Sequence, residues 1–260
     1  VDMTQVKRVM DIGCGYGTDL VQLARAYPNL SGKGHTLSQG QVSAAKRRVR
    51  ENHLEDRVEI HCRDSARDDF DGLFDLIIGF EVTFHVENKQ GLFSNIARNL
   101  CPGGQLLLID CVADMVTEVS MPEIGQFTST PDQFARHLAD QGLELAVCID
   151  AGPDIANFLH DSDFETNLAA VHARYPDLKT AAPEHRGWNN FGKALDLGLL
   201  RYVLLAAQKT KKAVSAETLY ETNCRCFAES RPFGAQTSSP RPHESQAPTA
   251  ASPIDARTAL

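Results

Sequence analysis

From Val6 to Asp110 the chain alternates short apolar runs with amphipathic stretches, so that a period of two and a period near 3.6 replace one another in regular order. Val6, Val9 and Met10 mark a first strand over 6–10, and behind it Leu20, Val21, Leu23, Ala24 and Tyr27 recur at helical spacing. The same reading predicts strands at about 30–35, 58–62, 74–81 and 105–110, with helices opening near Gln41 and spanning 88–100. Strands that alternate with helices make a parallel sheet covered on both faces, an α/β fold. Beyond it, Thr130-Pro131 caps a predicted helix running to Gln141-Gly142, and 143–150 reads as a sixth strand. Residues 111–129 have no clear period. A helical stretch over 154–175 carries Ile155, Phe158, Leu159, Leu168 and Val171, a polar break covers 183–187, and a helix over 188–197 precedes a closing strand at 199–208. Seven strands are expected in all.

The candidate chemistry begins at Asp11-Ile12-Gly13-Cys14-Gly15-Tyr16-Gly17, where a strand ends and a helix starts. Glycines two apart let the backbone close on a small adenosine-bearing ligand. A dinucleotide fold uses G-x-G-x-x-G with an acid about 20 residues on. Here the spacing is G-x-G-x-G, an acid precedes it, and Thr36 stands where the ribose acid belongs, which disfavours an NAD-dependent oxidoreductase. The second strand ends in Gly34-His35-Thr36-Leu37-Ser38-Gln39-Gly40-Gln41, where Ser38 or Thr36 also suits a helix N-cap. Asp64 follows the third strand and equally suits a turn. Asp11, Thr36, Asp64, Phe80 and Glu81 all fall at the carboxyl ends of predicted strands, where ligands of open α/β sheets bind.

Composition sets bounds. With 260 residues, 42% hydrophobic and 23% charged, the chain buries one sizeable core plus a modest appendage. No apolar run reaches ~18 residues, and no membrane partner is expected; the expected compartment is the cytoplasm. A net charge of -8 argues against nucleic acid, which demands clustered cations. Lys46-Arg47-Arg48 with Arg50 reads as a solvated helix face. Of seven cysteines only Cys224-Arg225-Cys226 are paired, without C-x-x-C spacing, so reduced thiols and no metal are expected. Residues 231–253 are rich in Ser, Pro, Ala and Thr and read as a linker, as in a domain of a longer polypeptide. The expected division is a folded domain over 1–230, with core 5–112 and 130–210 and a lid at 112–130 and 153–198, followed by a linker over 231–260.

The D-x-G-x-G-x-G turn resembles the first motif of the class I S-adenosylmethionine (SAM) methyltransferases, and Cys101-Pro102-Gly103-Gly104 before an apolar strand is similar to that family's fifth-strand turn. The resemblance implies a Rossmann-like fold with SAM as cofactor, its methionine end held by Asp11, Gly13 and Gly15. The G-x-T-L-S-x-x-Q run is similar to that of cyclopropane-fatty-acid synthases, which implies cofactor contacts from Thr36, Leu37 and Gln41. Asp64 is expected at the adenine amino group beside Ser65, with Phe80 and Glu81 completing the set.

The run from Ala156 through Asn157, Phe158, Leu159, His160 and Asp161, then Phe191-Gly192-Lys193 and Tyr202-Val203-Leu204-Leu205, resembles methyltransferase domains of type I modular polyketide synthases, from Asp11 to about Phe227. The O-methylating subgroup is the best match. This implies an acyl carrier protein and neighbouring synthase domains as partners, and a β-hydroxyl as the methyl acceptor. Methylation at the α-carbon of a β-keto chain, or an inactive scaffold, are the alternatives. A hydroxyl needs a base, and His85 is the candidate, although a histidine there also packs or caps a helix. Glu123 is a candidate to orient it, and His160 a candidate to face substrate from the lid; both also suit solvated positions. Glu81-Val82-Thr83-Phe84-His85 departs from most relatives, so the partner of the base stays open.

Overall fold

The computed structural model describes residues 1–114, 119–121 and 125–234. In chain order the elements are β1 (Arg8–Asp11), α1 (Thr18–Ala26), β2 (Ser31–Thr36), α2 (Gln39–Glu51), β3 (Val58–Cys62), β4 (Phe74–Phe80), a 3₁₀ turn (Thr83–His85), α3 (Lys89–Asn99) and β5 (Leu100–Ala113). A hairpin of β6 (Val119–Met121) and β7 (Gln126–Thr128) follows, then α4 (Pro131–Ala139), β8 (Leu143–Asp150), α5 (Gly152–Leu159), α6 (Phe164–Arg174), α7 (Ala182–Asp196), β9 (Leu200–Lys209), α8 (Ala216–Ala228) and β10 (Arg231–Pro232).

The main sheet runs β10-β8-β9-β5-β4-β1-β2-β3, with β1 to β5 parallel and β9 antiparallel to both β5 and β8. This is a Rossmann-like methyltransferase sheet: the seven expected strands, plus a two-residue edge pairing Arg231 with Ile149 and Pro232 with Asp150. Strand order reverses between β1 and β4, which opens a crevice at their carboxyl ends. Successive strand residues face opposite ways, so Val9, Leu76 and Ile78 join the core under α1 and α2, while Met10 and Ile77 join Phe93, Phe134 and Phe227 under α3, α4 and α8.

β2 reads Ser-Gly-Lys-Gly-His-Thr, a poor strand by composition. Its glycines are explained by what lies above them. A Cβ on Gly34 would come within 2.7 Å of the Cys14 Cβ and 2.8 Å of Leu20 Cδ1, so its absence lets the first turn and α1 settle onto the sheet.

Thr130 caps α4 through a capping box with Gln133, and Pro131 occupies the first turn, as the sequence predicts. The segment expected to form a lid differs from the sequence reading in its helices. The single helix expected over 154–175 is two, because Asp161 accepts from the Asp163 amide at 2.9 Å and from Asn167 at 2.8 Å, while its own amide donates to Asn189 at 2.7 Å. The polar break expected at 183–187 lies inside α7: Pro183 falls in the first turn, where its missing N–H costs nothing, and Arg186 meets Glu165 through two bonds of 2.7 and 2.9 Å. Among the described residues of 111–129, β5 extends to Ala113, and β6 pairs antiparallel with β7. Helix α8 has no counterpart in the sequence reading. Its buried Asn223 accepts from Leu145 N–H at 2.7 Å and donates to the carbonyls of Leu143 and Ala135 at 3.1 and 3.3 Å, which fixes it against β8 and α4. Among the described residues no helix is long and apolar enough to cross a membrane.

Gly34→Ala tests the close approach. The added methyl is expected to lower stability by about 1–3 kcal/mol, read as a fall in Tm, because Cys14 sits on a tight turn with little room to yield; an unchanged Tm would refute that contact.

Candidate active site

The crevice is built from the ends of β1, β2, β3 and β4 and the turns that follow them. Asp11 closes β1 with 3% of its surface exposed, and its Oδ1 accepts the Gly13 amide at 3.2 Å. Burial pushes its carboxyl pKa up to about 7, Asp19 adds to the rise, and the Gly13 bond opposes it. A carboxylate so placed gains from any cation that reaches it. Gly15 adopts φ 49°, the left-handed region, and a Cβ there would meet nothing within 4 Å, so the turn leaves open space above its backbone. On its other side the turn packs tightly: a Cβ on Gly13 would stand 2.2 Å from Val82 Cγ2.

At the end of β2, the buried Thr36 hydroxyl donates to Gln41 Oε1 at 2.5 Å, and Ser38 caps α2 by accepting the Gln41 amide at 3.3 Å. The cap and the proposed ligand residues therefore belong to one knot. Leu37 is 75% exposed and Tyr16 57%, which leaves apolar surface on two turns of the crevice. Asp64 makes a tight turn: Oδ1 accepts the Ala66 amide at 2.9 Å, and Oδ2 lies 3.4 Å from Arg67 Nε. Ser65 is buried and donates to the Ile12 carbonyl at 2.8 Å, stitching the β3 turn to the β1 turn. Phe80 ends β4 packed against the core under α1 and α2. Glu81 follows with φ 57°, a strained conformation for a residue with a side chain; its amide donates to Ile109 O at 2.7 Å and its Oε1 accepts the Tyr202 hydroxyl at 2.6 Å. Burial, with Glu81 alongside, raises the Tyr202 pKa above its ordinary value.

His85 ends the 3₁₀ turn, exposed, its ring centroid 4.2 Å from that of Phe84. Its Nδ1 lies 2.8 Å from the Gly125 carbonyl. A carbonyl only accepts, so Nδ1 carries the proton and Nε2 of the neutral ring is left with its lone pair. That is the tautomer a general base requires. His160 follows α5, with Nδ1 3.3 Å from Asp196 Oδ2 at the end of α7. Glu123 lies outside the described residues.

Two contributors escaped the sequence reading. Arg48, in the run expected to be solvated, donates to the Tyr16 carbonyl at 3.0 Å and to the Thr18 hydroxyl, bracing the glycine turn from α2. Asp110, near the carboxyl end of the long strand β5, is fully buried and accepts backbone amides from the turn that carries His85. A charged residue ending an apolar run was the signal available for it.

A buried carboxylate beside an open glycine turn, with exposed apolar side chains on neighbouring turns, fits a cationic adenosine-bearing cofactor. The comparisons agree. A methyltransferase-domain model matches residues 9–104. The polyketide synthase ThaQ of Burkholderia thailandensis is 39% identical over 213 residues, 82% of this chain but 10% of that synthase's length. The methyltransferase GfsG of Streptomyces halstedii is 30% identical over 223 residues, covering 80% of this chain and 76% of that protein. Among solved structures, the O-methyltransferase of a trans-AT polyketide synthase multienzyme of Brevibacillus brevis, in complex with S-adenosyl-L-homocysteine, superposes with a TM-score of 0.83 at 31% identity, covering 90% of this chain and 76% of that one. With strand order, glycine turn and buried acid all in their places, the chain belongs to the SAM-dependent class I methyltransferases.

Proposed function

We propose that this domain methylates the β-hydroxyl of a polyketide intermediate held as a thioester on an acyl carrier protein. The observation that carries the reading is the 2.8 Å contact of His85 Nδ1 with Gly125 O, which assigns the proton to Nδ1 and the lone pair to Nε2. The synthase origin of ThaQ and of the Brevibacillus brevis enzyme supports the setting. Asp11 and the backbone around Gly13 and Gly15 hold the methionine end of SAM, Thr36, Leu37 and Gln41 the middle, and the turn at Asp64 the adenine. When bound, SAM supplies a methyl group on a positively charged sulfur leaving group. The protein's tasks are then alignment, exclusion of water and removal of one proton. His85 Nε2 takes the proton of the substrate hydroxyl as its oxygen bonds to the methyl carbon, and the Gly125 carbonyl keeps the ring from turning its N–H toward the substrate. The helical lid of α5, α6 and α7 encloses the acyl chain.

His85→Ala is expected to lower methyl transfer by roughly 10²–10⁴-fold while calorimetric SAM affinity stays near parental; a mutant as fast as the parent removes His85 from the chemistry. Incubating the domain with SAM and synthetic β-hydroxy or β-keto acyl carriers, then locating the added 14 mass units (~14, one methylene) by fragmentation, decides the acceptor. Mass gained on the α-carbon of the β-keto carrier would replace O-methylation by C-methylation.

Asp11 makes cofactor binding depend on pH. Its pKa in the free protein, about 7, is raised, so near pH 7 much of it carries a proton that a cationic ligand expels. SAM affinity is therefore expected to rise from pH 6 to pH 8, with proton release in calorimetry that changes with buffer ionisation enthalpy. Asp11→Asn should bind more weakly and lose the slope; a slope that persists assigns the proton elsewhere.

A further inference from the structure

We propose that Asp110 is the positioning residue of the base, a buried carboxylate that clamps the Thr83–His85 turn from beneath. This rests on the assignment of His85 as base. Asp110 lies near the carboxyl end of β5, three residues before its last residue, Ala113, with no exposed surface. Its Oδ2 accepts the Thr83 amide at 2.8 Å, and its Oδ1 accepts the Phe84 amide at 3.3 Å and the Cys111 amide at 2.8 Å. Thr83 and Phe84 open the 3₁₀ turn, so their N–H groups have no partner within it. A carboxylate is the side chain that satisfies amides on two sides at once, since both of its oxygens accept.

The other end of the turn is tied to the β6–β7 hairpin. Buried Lys89 donates to the Val86 carbonyl and, at 2.6 Å, to Phe127 O, while the His85 ring is held by Gly125. The base thus hangs between a hairpin and one buried acid 25 residues away in sequence (from 85 to 110). The arrangement has a cost: burial raises the Asp110 carboxyl to about 6, against the pull of the Thr83 hydroxyl and the amides. A core that needed only apolar packing at the end of β5 would not carry it.

Asp110→Asn keeps the shape but turns an NH₂ group toward one of the amides, so it loosens the turn without emptying the site. In the whole chain it is expected to lower kcat by roughly 10–100-fold, the range for a displaced reacting group, with KM for the acyl carrier and affinity for S-adenosylhomocysteine near parental. Hydrogen exchange of the Thr83 and Phe84 amides should speed up by about the tenfold or more that loss of one protecting bond permits. In a cycle with His85→Ala, the double variant should be no slower than His85→Ala alone. Parental kcat in Asp110→Asn, or losses that multiply in the double variant, would overturn the proposal. If His85→Ala itself runs at the parental rate, the base assignment fails and this role fails with it; a slow His85→Ala beside a fast Asp110→Asn removes the clamp alone. Should Asp110→Asn not fold, the parent still decides: Thr83 and Phe84 amides that exchange as fast as an open loop refute the clamp.

Discussion

The crevice exists because backbones approach one another more closely than side chains permit. Where Gly34 passes under Cys14, and where Gly13 meets Val82, a single methyl would collide at 2.7 and 2.2 Å. Those two contacts bring the β1 turn down onto β2 and across to the loop after β4, so that three turns from non-adjacent stretches of chain share one wall. Everything assigned to the site hangs from that convergence: the acid at the end of β1, the Thr36–Gln41 knot, and the turn bearing His85.

Charge is distributed in a way that folding alone does not favour. Asp11 is a carboxylate buried at the end of β1 and Asp110 one buried near the end of β5, and burial raises both. His35 lies fully buried beside Ser65 and Phe70, and burial, then Arg63, His61 and Lys33, lower it to about 4. A lowered histidine favours the folded state least in acid: as pH falls from its unfolded value near 6.5 toward 4, the unfolded chain takes the proton first and stability declines. The raised carboxylates act in the opposite sense: as pH rises from their unfolded value of 3.8, the unfolded chain ionises first and stability declines, until about 6 for Asp110 and about 7 for Asp11. These polar groups lie at the crevice end of the sheet, while the two cores flanking its centre are apolar. Of the three non-glycine residues with positive φ among the described residues, Glu81 stands at the end of β4, on the crevice side, while His53 and Asp71 lie in loops that precede β3 and β4.

The segment expected to form a lid, α5 to α7, carries polar contacts of its own. Arg186 with Glu165, His160 with Asp196, and Asp161 with Asn189 and Asn167 join its helices to each other. Its roots are Ala151, bonded to Tyr202 O at 2.8 Å, and Leu199, whose carbonyl accepts the Asp114 amide at 3.0 Å. The proposed enclosure of substrate would use a unit knit internally and rooted at strand ends.

Much of this was legible in the chain itself. The α/β order, the positions of β1 to β5, β8 and β9, the capped α4 and the glycine turn follow from local periodicity and from residue types with narrow backbone uses, and neither requires knowing what lies across the molecule. The strand ends that carry the candidate cofactor residues were legible because strand ends are local events. What the tertiary structure decided is pairwise and distant. Arg48 reads as a solvated cation until α2 is laid against the first turn; α8 reads as unremarkable until Asn223 meets β8; Pro183 reads as a break until its first-turn position is known. The tautomer of His85 and the partner beneath it depend on Gly125 and Asp110, whose approach is set by sheet order and hairpin placement, and no period in the sequence encodes a contact between residues so far apart.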